Sequence, residues 1–255
     1  MVEPIKSFRN YLALSVVLLV ASCSSGYHLV KTNRAEYNVN KELTVDSSII
    51  KTYLPYKAQL DAEMNKVIGH SAAQMSKKSS DTLPESLLSN FFSDAVLEQA
   101  LKYDQNIDFA LPSTKGGLRV DFPKGNVTVS NVFELMPFEN QLIIFTLKGT
   151  DVQQVLDYIA STNGQPVARL QMKIIDKKPT DVLVNGKPFD VNKTYKVLTS
   201  DYIGGGGDNV PAFKNAIDQK VIGLKIRDAL MNYVIETEAA GKTINPKLDG
   251  RITKN

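Results

Sequence analysis

The sequence predicts an α+β domain, a mixed sheet with flanking helices preceded by a connector helix. Three observations predict it. Short runs rich in β-branched and aromatic residues fall at 107–111, 127–129, 142–147, 170–175, 182–184 and 195–199. Helical periodicity occupies 151–160 and 224–237 and two stretches nearer the N-terminus. Strands and helices do not alternate strictly, which separates this pattern from a doubly wound α/β sheet.

The N-terminus has its own logic. Lys6 and Arg9 precede an apolar stretch over 11–20, followed by Ala21 and Ser22. That is the layout of a secretory signal, with an apolar core too short to span a bilayer. Val20-Ala21-Ser22-Cys23 resembles a bacterial lipoprotein cleavage site, and Cys23 is the sole cysteine of the chain. The expected organisation is a signal peptide over 1–22, a lipidated cysteine and polar tether over 23–45, and a globular part over 46–255. The protein would then be lipid-anchored to a bacterial membrane, facing the periplasm or the cell surface. Lipidation would use the one thiol, leaving no disulfide framework, thiolate nucleophile or cysteine metal site.

A formal charge of +3 over 255 residues provides no basic stripe for a nucleic acid polymer. About 230 residues remain after the signal, enough for one substantial core.

From Asp46 onward, Ile49, Ile50, Tyr53, Leu54, Leu60, Met64, Val67 and Ile68 recur at helical spacing. Pro55 lacks a donor and crowds the preceding turn, so a kink or two joined helices is expected, closed by Gly69. A short strand fits 71–77. The second helix is expected to start near Pro84-Glu85 behind a Thr82 cap, with Leu88, Phe91, Phe92, Ala95, Val96 and Gln99 along one face. Thr150 is the expected cap of the helix over 151–160. Asn185-Gly186 is a type I′ hairpin signal.

Three segments carry the chemistry. Tyr202-Ile203-Gly204-Gly205-Gly206-Gly207-Asp208 sets an aromatic ring at a strand end, then a backbone free of side chains, then a carboxylate. Glycine lets a main chain approach a ligand or adopt positive φ, although such a run is equally a plain turn. Upstream stand Leu135-Met136-Pro137-Phe138-Glu139-Asn140 and Lys115-Gly116-Gly117-Leu118-Arg119. In this order the three segments resemble the C-terminal, substrate-binding domain of the 5′-nucleotidase and UDP-sugar hydrolase family.

The resemblance implies roles. Phe138 and Tyr202 would stack on the two faces of a nucleobase, and such stacking tolerates any base. Asn140 would read the base edge, its amide being both donor and acceptor. Asp208 would accept from the ribose hydroxyls. Arg119 would approach the phosphate, where a guanidinium forks well. Gly116 and Gly117 would shape one loop, Gly206 and Gly207 the other. From position alone, Phe138 is equally a core residue, Asn140 a turn residue, Asp208 a cap and Arg119 a solvated surface residue.

Several positions depart from the family pattern, and base stacking is better preserved than phosphate gripping. Thr114 and Lys115 stand where asparagine and glycine are usual, and Thr82 lies near the place of a second arginine. Asn209-Val210 replaces a glycine and an aromatic, and Met172-Lys173 occupies a stretch that tends to hold a glycine. Lys115 or Lys173 are the candidates to compensate on the phosphate side.

Family members carry catalysis on a separate dinuclear metallophosphatase domain rich in histidine. This chain has two histidines, His28 and His70, and no Gly-x-Ser-x-Gly elbow in the mature sequence. No catalytic residue and no metal is therefore assigned to it. The implied function is binding of nucleosides or 5′-nucleotides, with a separate metallophosphatase lipoprotein supplying the divalent metals and hydrolysing the phosphomonoester. The alternative is a non-catalytic nucleoside-binding or scaffold lipoprotein.

Overall fold

The computed structural model describes residues 29–78 and 83–254. The signal, Cys23, His28 and Thr82 lie outside the described residues. Helix α1 (Ser47–Met64) begins behind Asp46, whose carboxylate accepts from the Ser48 amide at 2.8 Å. It runs through Pro55 as one continuous helix and not as two joined ones. The Lys51 carbonyl, deprived of its donor there, belongs to an exposed residue and is open to water. None of its residues is buried, and Ile49, Tyr53, Leu54 and Leu60 are exposed.

Gly69 does not close that helix. It lies inside strand β1 (Val67–Ser71), which pairs antiparallel with β3 (Gly125–Thr128). A Cβ at Gly69 would stand 2.6 Å from Val234 Cγ1, so glycine is there for a close helix–strand approach. The stretch expected as a strand over 71–77 is not one: Ser71 ends β1 and bridges to Ile244, and beyond it Met75 forms an isolated bridge to Phe122.

Helix α2 (Leu87–Ala100) is capped by Ser86, whose hydroxyl accepts from Ser89 N at 3.1 Å. The start at Pro84-Glu85 is corrected, because Glu85 is drawn away to Asn90 Nδ2 and Gly250 N. Next come β2 (Phe109–Ala110), β3 and α3 (Val129–Leu135). Helix α3 was missed in the sequence, although Thr128 and Asn131 form a reciprocal capping box.

Strand β4 (Gln141–Lys148) leads directly into α4 (Gly149–Ser161) without a Thr150 cap. Gly149 N instead donates to Lys193 O at 2.7 Å as the chain turns. Strands β5 (Leu170–Ile175), β6 (Lys178–Val184), β7 (Lys187–Pro188) and β8 (Thr194–Ser200) follow, then a short helix α5 (Asp201–Gly204). The hairpin at Asn185-Gly186 has φ of 49° and 74°, as a type I′ turn requires. Strand β9 (Asp218–Lys225), helix α6 (Ile226–Ala239) and strand β10 (Ile252–Lys254) complete the chain. Strand β9 was missed because most of its residues are exposed and only Ile222 and Leu224 are buried, too few to show a period-two pattern.

The strands form sheets in the orders β1-β3, β10-β5-β6-β7 and β2-β8-β4-β9. Two buried clusters replace the single core expected. The β2-β8-β4-β9 sheet feeds both: Leu142, Ile144 and Leu198 pack with α2 and α6, while Phe145, Leu147 and Val197 pack with α4. This is the period-two alternation of a sheet covered on both faces.

The same sheet positions the site. Strands β2 and β8 run parallel, so their following loops leave at one end. Strand β4 is antiparallel to β8 with Leu142 opposite Ser200, so the segment before β4 arrives at that end too. Lys225 pairs with Gln141, which brings the start of α6 alongside.

Candidate functional site

The three loops converge on one cavity of about 400 Å³, lined by Phe138, Asn140, Tyr202, Asp208, Arg119 and the Gly116-Gly117 turn, with Ser113 and Ser200. Such a volume suits a small-molecule ligand. Residues far apart in the chain meet here because the sheet delivers them to one edge.

Phe138 is 39% exposed and Tyr202 52%, unusual for large rings inside a folded domain. Neither is a loose surface ring. The Phe138 loop is held from behind by the first turn of α6. Ile226 N donates to Asn140 O at 3.0 Å, and Arg227 reaches the Phe138 carbonyl at 3.5 Å. Arg227 is buried, stacks over the Phe133 ring at 4.1 Å, and pairs with Glu139. Lys225 pairs with Glu139 as well.

Tyr202 sits in the first turn of α5 rather than at a strand end. Ser200 caps that helix by accepting from Ile203 N at 3.3 Å. The tyrosine hydroxyl donates to Asp208 Oδ1 at 3.0 Å, and the Thr114 hydroxyl donates to Asp208 Oδ2. A carboxylate has about four acceptor positions. Two donors fix Asp208 and leave capacity for a vicinal diol.

Gly206 and Gly207 do not line the cavity, and the glycine run serves the protein's own turn. Gly206 has φ of +95°, where a side chain is strained. A Cβ at Gly207 would stand 2.6 Å from the Tyr202 ring and the Tyr202 carbonyl, so glycine lets the ring lie against the turn. Asp208 and Asn209 follow at φ of 51° and 61°. Asn tolerates that conformation best after glycine, so Asn209 accommodates the positive φ of this turn. At Gly117 a Cβ would fall 2.0 Å from Ser113 Oγ.

Asn140 Nδ2 donates to Asp201 Oδ1 at 2.9 Å, and that oxygen also accepts from Tyr202 N at 2.7 Å. Asp201 thus ties the Asn140 amide to the Tyr202 turn. Arg119 Nη1 donates to Gly116 O at 3.3 Å, with its guanidinium 5.9 Å from the Phe138 ring centroid.

Lys115 points elsewhere. Its ammonium donates to Pro84 O at 3.0 Å and Asn163 O at 2.8 Å, and burial pulls its pKa down to about 8. Met172 is buried in the α4-side core, and neither it nor Lys173 lines the cavity. His70 pairs with Glu238 at 2.9 Å. Among the described residues no group of three or more His, Cys, Asp or Glu side chains could hold a metal ion. The arrangement can grip a flat ring and a diol.

Ser113, Ser200, Asp201 and Arg227 were not anticipated. Ser200 carries a cap signal ahead of Asp201 that was readable. Arg227 acts through Phe133 and Glu139, which are remote in the chain, and had no local signal.

Comparison with known proteins identifies the family. The family described as 5′-nucleotidase, C-terminal domain, matches residues 67–215. Protein UshA of Yersinia enterocolitica is 28% identical over 203 residues, covering 76% of this chain and 35% of that protein. The trifunctional nucleotide phosphoesterase protein YfkN of Bacillus subtilis is 26% identical over 222 residues, covering 77% of this chain and 14% of its own length. A 5′-nucleotidase precursor from Thermus thermophilus superposes with a TM-score of 0.68 at 25% identity, covering 80% of this chain and 42% of that one. The chain therefore spans well under half the length of each of these relatives. The family match runs from β1 past the Tyr202–Asp208 turn and so contains all three loops of the cavity: the chain belongs to the 5′-nucleotidase C-terminal-domain family.

Proposed function

We propose that this protein is a nucleoside- or nucleotide-binding subunit that works beside a separate metallophosphatase in the hydrolysis of 5′-nucleotides. The observation that carries the reading is the pair of half-exposed rings, Phe138 and Tyr202, lining one cavity with a doubly held carboxylate. In it the rings sandwich the base, Asn140 reads its edge and Asp208 accepts from the ribose. Divalent metals belong to the partner, and a stable pair would bury on the order of 1,600 Å². Cys23 carries the lipid that keeps the subunit at a bacterial membrane, and the chain itself performs no bond-breaking step.

Metabolic labelling with a palmitate analogue tests the anchor: label is expected on the native chain and absent from Cys23→Ala. Affinity capture from a membrane extract, followed by assay of AMP hydrolysis with added Mg²⁺ or Mn²⁺, tests the partner. Co-purifying, metal-dependent phosphatase activity supports the subunit reading. Nucleoside binding with no associated phosphatase would leave a stand-alone binding lipoprotein instead.

A further inference from the structure

We infer that the cavity takes the uncharged nucleoside in preference to its 5′-phosphate. This preference presupposes the nucleoside-binding reading above and narrows its ligand class. Among the described residues that line the cavity, Arg119 is the one cation and Asp208 the one acid, so the lining is electrically balanced. Asp201 adds a second carboxylate one hydrogen bond behind Asn140. A 5′-monophosphate carries nearly two negative charges at neutral pH. Sites that hold such a group present convergent guanidinium, ammonium or backbone N–H donors.

Most of the nearby cations, and the amides at the start of α5, have partners of their own. Lys115 is buried against two carbonyls, and Lys77 Nζ donates to Leu118 O at 3.2 Å. Lys225 and Arg227 pair with Glu139 behind the Phe138 loop. Lys214 lies along Gly206 without lining the cavity. At the start of α5, Tyr202 N is taken by Asp201 and Ile203 N by Ser200. The segment 79–82 contains no lysine or arginine.

Arg119 itself stands by the Phe138 ring and donates to Gly116 O. From there the guanidinium can face the π-system of a stacked base. What remains suits a neutral ligand: two rings, an amide and a carboxylate with free lone pairs. A nucleoside is the product of phosphomonoester hydrolysis. The chain would therefore hold what a phosphatase releases, with the phosphate left to the partner's metals.

The test is calorimetric titration of the full chain in detergent with adenosine and with AMP, beside Arg119→Gln. Adenosine is expected to bind at least as tightly as AMP, and Arg119→Gln to weaken both by a similar factor. AMP binding more tightly than adenosine in the native chain overturns the preference and leaves the nucleoside-binding reading standing. Loss of that advantage in Arg119→Gln would then assign it to the guanidinium. Binding of neither ligand removes the nucleoside-binding reading, and the preference with it.

Discussion

The two sides of the cavity are built from similar turns and held very differently. On the side of the two rings the loops are tied to one another: Arg227 and Ile226 hold the Phe138 loop, and Asp201 ties Asn140 to the Tyr202 turn. Thr114 and Tyr202 together hold Asp208. On the opposite side a single arginine, Arg119, rests against a carbonyl and a ring. Groups held in place before a ligand arrives lose less entropy on binding it. The difference teaches that this chain pre-organises its two rings, its amide and its carboxylate, and leaves the arginine lightly held.

The largest expected effect comes from removing the support behind Phe138. Arg227→Ala deletes a buried guanidinium stacked on Phe133 and paired with Glu139. A loss of about 2–4 kcal/mol in urea unfolding is expected, together with weakened ligand binding. Unchanged stability would show that the Phe138 loop is not pre-organised from α6. Gly207→Ala comes next, since its Cβ collides with the Tyr202 ring and carbonyl. About 1–3 kcal/mol of destabilisation is expected in the same assay.

Tyr202→Phe keeps the ring and deletes the bond to Asp208. Adenosine should bind more weakly by about 0.5–1.5 kcal/mol, with a smaller loss for 2′-deoxyadenosine, read by competitive titration. Equal losses for both would separate the hydroxyl from ribose recognition.

The smallest effect concerns Lys115. In the folded chain burial lowers its pKa to about 8 from an ordinary 10.5. Between those values the unfolded chain binds the extra proton, so this residue's contribution to stability rises with pH across that window. Below about 8 both states are protonated and the dependence vanishes. The difference in melting temperature between the native chain and Lys115→Met should therefore move in the native chain's favour as pH rises from about 8 to about 10. A flat difference would contradict the buried-ammonium geometry.

Much of this was legible in the sequence, and the limits have physical causes. Strands such as Leu170–Ile175 and the Asn185-Gly186 hairpin were readable because period-two apolarity and positive-φ turn residues are local signals. Strand β9 was not, because an edge strand with mostly exposed residues loses that alternation. Phe138, Asn140, Tyr202, Asp208, Arg119 and the glycines were visible as three segments, and the sheet brings Phe138, Asn140, Tyr202, Asp208, Arg119, Gly116 and Gly117 to one cavity. What could not be seen was who holds whom. Arg227 reaching Glu139 and Thr114 reaching Asp208 are contacts between residues far apart in the chain. The role of Lys115 was equally hidden, because a lysine beside a glycine pair reads as a phosphate ligand until its ammonium is seen on Pro84 and Asn163.

The central claim is that Phe138 and Tyr202 clamp a base between them. It is tested most directly by a double-mutant cycle on adenosine binding, with Phe138→Ala, Tyr202→Ala and the double variant titrated beside the native chain. Each single substitution is predicted to weaken binding by about 1–3 kcal/mol while leaving the unfolding midpoint of Phe138→Ala nearly unchanged. Native-like adenosine affinity in both single variants would contradict the clamp.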